Sequence, residues 1–298
     1  MASPSLRQLR TFIAAMESGS VSAAARSLKL TQPAASLQLR ELERLLGARL
    51  FDRARGRLIP TPAGAALLAP ARRAQAAVED AVEAVAGHRA GEAGRLRVGT
   101  GATACIYLLP TPLAAVRRRM PGLAITVATG NTREILERVE AGDLDIAIVT
   151  LPIPESRTLA RTRILVDPQL ALLPKAMAPA GRGIEAAAIA RLPLILYEAG
   201  GVTRAITDAW FRRAGLTLEP IMELGSVEAI KVLVGSGLGA AILPRLALQE
   251  AVPGTLVRPL RPPLARDLAL VLRKEKVRDR GLRLFTEELG KAVRDSPA

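Results

Sequence analysis

The sequence predicts a small helical head closed by a β-hairpin, one long helix after it, and then a larger α/β domain. Three observations carry this fold class. Apolar residues recur at helical spacing through residues 6–46. Two short apolar segments flank an arginine-rich turn at 50–61. Beyond residue 94, short apolar strands alternate with helical segments, as parallel α/β architectures require. The 298 residues suffice for two or three domains, and 49% apolar content with 2% aromatics suits a folded chain rich in Ala, Leu and Val.

In the head, Leu9, Phe12, Ile13 and Met16 form one apolar stripe on a first helix. Gly19 ends that helix and Ser20 caps the next, "SVSAAARSL", whose alanines permit close packing. After the turn at "LKL", Thr31 caps a third helix with Ala35, Leu39, Leu42 and Leu46 on its inner face. Gln32, Ser36, Arg40 and Arg44 fall on its other faces. Two short helices around a tight turn, the second with polar groups at its exposed start, form a helix-turn-helix pattern. In that reading Gln32 pairs with an adenine, while Ser36 and Arg40 fix register on phosphates. A helical hairpin with a solvated polar face has the same periodicity.

"LFDRARGRLIPT" reads as a hairpin wing whose basic tip (Arg53, Arg55, Gly56, Arg57) suits the minor groove or the DNA backbone. Thr61-Pro62 starts the long helix, with Thr as cap and Pro in the first turn. Ala71, Val78 and Val85 interleave with Leu68, Gln75 and Val82 in an a/d seam that suits pairing of two chains, and Pro70 predicts an early kink.

The net charge of +14 points to a polyanionic partner, with 13 basic and 7 acidic side chains among residues 1–90. Cys105 is the only cysteine and His88 the only histidine, so one chain offers no disulfide, Cys/His metal cluster or well-placed triad. His88, in "AGHRAGEAG", reads as a linker residue; Cys105 reads as core. No apolar run approaches the ~18 residues of a membrane span. "MASPSLRQLR" lacks the apolar core of a secretory signal, so a cytoplasmic protein is expected.

The strand candidates are "RLRVG", "LAITVATG", "LDIAIVT", "LALLP", "LPLILYE", "PIMELGS", "GAAILP" and "DLALVLR". The first runs into Gly99-x-Gly101-x-x-Ala104, the pattern of a dinucleotide loop. The second strand, however, ends in Thr129, Gly130 and Asn131, with no carboxylate for a ribose hydroxyl. The loop is better read as a hydroxyl-and-amide cradle for a small ligand, formed by Thr100, Gly101, Ala102 and Thr103. Thr129, Thr150, the pair Val202 and Thr203, and Gly225 fall at corresponding strand ends and helix starts. Arg204 is a further cation for a carboxylate. Each hydroxyl, taken singly, also reads as a helix cap.

"GSVSAAARSLKLTQPAASLQLRELERLLGARLFDR" followed by "TPAG" resembles the LysR-type transcriptional regulators, and the likeness runs end to end. It implies a winged helix-turn-helix at 1–61, a linker and dimerisation helix at 62–92, and an effector-binding domain at 93–298. That domain resembles the periplasmic binding proteins, with lobe I at about 93–162 and 267–298 and lobe II at about 163–266. The stretch "RPLRPPLARD" suits a crossover between lobes. By position, Thr31, Gln32, Pro33 and Ser36 open the recognition helix and Arg53 is the wing arginine. Leu37 stands where many members carry arginine, and Pro60 where they often carry leucine. The implied partners are double-stranded promoter DNA, a small-molecule effector such as a carboxylate or other small anion, further copies of the chain as a dimer of dimers, and RNA polymerase. No membrane, cofactor, metal or catalytic residue is implied. Two rivals remain at this stage: a small-molecule binding protein without gene regulation, and a nucleotide-dependent enzyme.

Overall fold

The computed structural model describes residues 3–54, 57–86 and 94–295; at 53, 54, 57 and 83–86 the backbone alone is described. His88 and Arg55 lie outside the described residues. The chain divides into two compact units, Met1–Ala90 with Glu140–Asp143, and Gly91–Val139 with Leu144–Ala298.

In the first unit, α1 (Leu6–Ser18) begins with a capping box. The Ser5 hydroxyl accepts from the Gln8 amide and the Gln8 side chain accepts from the Ser5 amide. Gly19, at φ 62°, ends α1 in the left-handed conformation that glycine adopts without penalty. Ser20 caps α2 (Val21–Ser27) and Thr31 caps α3 (Gln32–Leu46), each through its side-chain oxygen. Phe12, Ala15, Ala24, Leu39, Leu42 and Leu50 form the core, each of the large ones contributing about 1.5–3 kcal/mol by leaving water. Leu46, expected on the inner face, is instead 40% exposed, because it is the last helical residue and the chain turns away at Gly47. A polar seam also joins α1 to α3. Thr11 Oγ1 donates to Gln38 Oε1 at 2.5 Å and Gln8 Nε2 donates to Glu41 Oε2 at 3.4 Å.

The wing consists of β1 (Phe51–Ala54) and β2 (Arg57–Pro60), antiparallel with Phe51 opposite Pro60 and Arg53 opposite Leu58. The second strand thus extends to Pro60, at a strand end where a missing N–H is tolerated. Thr61 then caps α4 (Pro62–Ala86), its hydroxyl accepting from the Gly64 amide at 3.0 Å and donating to the Arg49 carbonyl at 2.7 Å. A Cβ at Gly64 would lie 2.2 Å from the Leu50 carbonyl oxygen, so the glycine of "TPAG" is required for close approach. The helix runs on through Pro70. Of the expected seam, Ala71 and Leu68 pack into the core of their own unit, whereas Val82 is 64% exposed.

The second unit opens with β3 (Arg95–Thr100), α5 (Ala102–Tyr107), α6 (Pro110–Arg119), β4 (Ala124–Thr129), α7 (Thr132–Ala141) and β5 (Ile146–Thr150). It continues through the long β6 (Leu159–Pro174), then β7 (Ile184–Glu185), α8 (Ala186–Ile189), β8 (Ile195–Tyr197), α9 (Val202–Arg213) and β9 (Met222–Leu224). It closes with α10 (Val227–Gly235), β10 (Ala241–Pro244), the long β11 (Thr255–Arg273) and α11 (Arg280–Asp295). The main sheet runs β10-β6-β11-β5-β3-β4, with β7 alongside β11; β8 and β9 form a parallel pair. The β3–β4 and β3–β5 pairs are parallel, and β11 is antiparallel to both β5 and β6.

The stretch "RPLRPPLARD", expected to cross between lobes, is strand rather than irregular chain. It lies inside β11, whose pairing with β6 continues on both sides of an irregularity between Pro259 and Leu264. Apolar cores flank both ends of this ladder. One gathers Leu96, Val98, Val116, Ile146, Leu270 and Phe285; another gathers Leu173, Ile184, Leu196, Trp210, Phe211 and Leu260. Cys105, expected in the core, is half-buried because it lies on the outer part of a short surface helix beside exposed Ile106.

Candidate functional site

On α3 the buried residues are Ala35, Leu39 and Leu42, which fixes the opposite side as the outward one. Pro33 and Arg40 are exposed there and Ser36 is partly so, and Thr31 and Gln32 are exposed at the start of the helix. The Thr31 hydroxyl is shared with the Ala34 amide as the cap. Gln38 and Glu41, by contrast, are held by Thr11 and Gln8 on α1, which orients α3 and withdraws those two side chains from outward work. Arg53 lies in β1, and nothing further is described of its side chain. Pro33, Ser36 and Arg40 are thus brought onto one outward face, within about 60° of one another at ~100° per residue, while Thr31 and Gln32 are exposed at the open start of the helix. An α-helix with amide, hydroxyl and guanidinium groups on such a face fits the major groove.

The second unit holds a cleft of about 570 Å³. Its wall includes Gly101, Ala102, Thr103, Thr129, Thr150, Val202, Thr203 and Gly225, so eight of the nine residues expected around a small ligand meet there. Thr100 is the correction. It is fully buried and outside the cleft wall, because it shares the phase of Leu96 and Val98 in β3, and that face turns into the apolar core. Gly99, the other loop residue, is a packing glycine: a Cβ there would lie 2.5 Å from Leu144 Cδ1 and 2.9 Å from Ile135 Cγ2.

Arg266 on β11 is a second buried cation of the cleft wall, besides Arg204, and sequence reasoning missed it. Its Nε and Nη2 donate to Asp167 Oδ2 at 3.0 and 2.9 Å, and Nη1 donates to Thr203 Oγ1 at 3.2 Å. Arg266 and Asp167 are directly opposite across the β11–β6 ladder, and Asp167 Oδ1 also accepts from the Leu246 amide at 3.1 Å. Burial pushes the Asp167 carboxyl up, more than Arg266 and the backbone donors pull it down. The available signal was phase: Arg266 alternates with Leu264 and Leu268, all three facing inward.

Arg204, the cation expected from sequence, is already engaged. Its Nε donates to Asp208 Oδ1 at 2.9 Å and its Nη1 to Glu223 Oε1 at 2.7 Å and the Tyr197 carbonyl at 2.6 Å. It therefore braces the start of α9 against β8 and β9. Tyr197 also lines the cleft, and its hydroxyl is shut away from solvent without a well-formed hydrogen bond among the described residues. Burial pushes that phenol up, against the pull of Arg266 and the Thr103 hydroxyl. Gly101 and Gly201, the N-caps of α5 and α9, supply no side-chain cap, so first-turn amides there are left for another acceptor.

Among the described residues, no group of three or more His, Cys, Asp or Glu is gathered to hold a metal ion, and no helix is long and apolar enough to cross a membrane.

Comparison with known proteins meets the same two regions. Residues 6–65 match the family model of the bacterial regulatory helix-turn-helix protein, lysR family, and residues 89–294 match the LysR substrate binding domain. The chain is 37% identical over 242 residues to the HTH-type transcriptional regulator CbbR of Xanthobacter flavus, covering 80% of this chain and 72% of the relative. It is 35% identical over 258 residues to the regulator of the same name in Sinorhizobium medicae, covering 85% and 80%. Among solved structures, a full-length OxyR variant from Pseudomonas aeruginosa superposes with a TM-score of 0.75 at 25% identity, covering 99% of this chain and 96% of that one.

Proposed function

The chain belongs to the LysR-type transcriptional regulators, and from that premise we propose how its two sites divide the work. It is a DNA-binding regulator with an effector-binding domain, and its relatives are named regulators rather than enzymes. In our reading α3 enters the major groove of promoter DNA. Gln32 reads a base there, Thr31, Pro33, Ser36 and Arg40 set register, and Arg53 and Arg55 of the wing approach the backbone or minor groove. The observation that carries this assignment is the exposed start and outward face of α3, none of whose residues Gln32, Pro33, Ser36 and Arg40 belongs to the apolar core of the head.

The effector in this reading is a small anion, a carboxylate or similar, held in the cleft by Thr103, Thr150 and Thr203 and by first-turn amides of α9. Arg266 supports it electrostatically from the floor. The lobes divide near 162 and 267, so the paired crossings in β6 and β11 carry a ligand-dependent change of lobe angle. Exposed Val82 supports α4 as a dimer seam, with a dimer of dimers in the cytoplasm acting on RNA polymerase at the promoter.

The test is binding of full-length protein to a selected and a scrambled duplex across a salt series. Steep loss of affinity with salt, and a specificity ratio that collapses in Gln32→Ala while scrambled-duplex affinity holds, is the expected result. An unchanged ratio removes Gln32 from base reading.

A further inference from the structure

We propose that Leu37 reads the 5-methyl group of a thymine in the major groove. The inference rests on α3 being the reading helix and adds a specificity-determining contact to it.

Leu37 is 50% exposed in the middle of α3 and belongs to none of the apolar cores. It is two positions from each of Ala35 and Leu39, and at ~100° per residue it points roughly 160° away from both. It therefore stands at the crest of the outward face, farthest from the buried stripe. Pro33, one turn earlier, extends the same apolar strip, and Arg40 lies one turn later beside it. The neighbours that might cover Leu37 from its other side, Gln38 and Glu41, are hydrogen-bonded to α1. Among the described residues, no apolar core of the head includes this side chain.

A leucine at the crest of a groove-binding helix has one favourable partner on the base edges. It cannot donate to guanine O6 and N7, and pressing against them would strip those acceptors of water without replacement. Against thymine it buries the methyl group. Removing one methyl from water is worth about a fourfold change in affinity per contact.

The experiment begins with selection of bound duplexes from a random library by the full-length protein. Each thymine of the selected site is then replaced singly by deoxyuridine, which deletes the methyl and leaves every hydrogen-bonding group in place. One thymine in each bound half should lose about fourfold in affinity when replaced, and the same replacement should cost Leu37→Ala nothing. Leu37→Gln, a polar helix former, serves as the second variant, and the melting temperature of both should match the parent because the position is exposed. Absence of any such thymine, or a deoxyuridine penalty equal in parent and variants, overturns the proposal. Gln32→Ala separates it from its premise. If Gln32→Ala and both Leu37 variants select the parent's sequence, α3 is not the reading helix; if only the Leu37 variants do, the methyl contact alone falls.

Discussion

Removing Asp167 tests the floor of the cleft most directly. Arg266 is 5% exposed and Asp167 is 1% exposed, so Asp167→Ala leaves a largely buried guanidinium with Thr203 as its remaining side-chain acceptor among the described residues. Breaking one side of such a pair costs about 3–5 kcal/mol, because the remaining charge is buried without compensation. For a domain of this size each kcal/mol moves the melting temperature by about 2–4 °C, so a fall of roughly 6–20 °C is expected. The double variant Asp167→Leu/Arg266→Met should recover most of that loss, since apolar replacement of both partners removes the stranded charge. Asp167→Asn carries the functional half of the argument. It keeps the shape but leaves Arg266 uncompensated at the cleft, so sulfate or a small carboxylate should raise its melting temperature more than it raises the parent's. Scanning calorimetry of the full-length chain, with and without anion, reads all three. A loss below about 1 kcal/mol in Asp167→Ala, or an equal anion response in Asp167→Asn and parent, would refute the view that Asp167 holds Arg266 in check.

Lys29 adopts φ 56° between α2 and α3, a left-handed conformation that strains most side chains but that asparagine tolerates through local hydrogen bonds of its short amide; Lys29→Asn should stabilise the chain by about 0.5–1 kcal/mol, read from the urea midpoint. Gly64→Ala would drive a Cβ into the Leu50 carbonyl and should cost about 1–3 kcal/mol, with weakened duplex binding as the start of α4 shifts. Asp145 is buried, which raises its pKa, but hydrogen bonds from Arg97 and Lys276 and their charges hold the carboxyl below its usual value. A depressed folded pKa gives stability that is present above about pH 3.9, where the unfolded carboxylate ionises, and is lost as pH falls through the folded value. Asp145→Asn should therefore melt lower at neutral pH and show a shallower decline into acid.

The parts of the fold legible in the sequence were those governed by neighbours in the chain. Ser20 and Thr31 cap helices that start one residue later, and Gly19 closes α1, all through bonds spanning three or four residues. The cleft threonines were legible for a similar reason, since a strand end and the following helix start are adjacent in sequence. Arg266 was not legible, because its meaning depends on Asp167, its partner across the ladder 99 residues away. Pro259, Pro262 and Pro263 also interrupted the alternation that would have revealed a strand through Thr255–Arg273. Thr100 was misplaced by half a strand period: the loop after it does line the cleft, but the inward phase of Thr100 itself was not weighed. Gly99 shows the reverse error that a motif invites, since its missing side chain makes room for Leu144 and Ile135 rather than for a pyrophosphate.

The pairing of β6 with β11 has a mechanical consequence. A connection made of two hydrogen-bonded ribbons has no single swivel, so rotation of one end is spread as a small twist over every rung. The irregularity between Pro259 and Leu264 interrupts those rungs, so that fewer ladder hydrogen bonds oppose a twist there. In the reading proposed above, an effector works against a torsion spring, and the stiffness of that spring sets how much of the binding energy becomes movement.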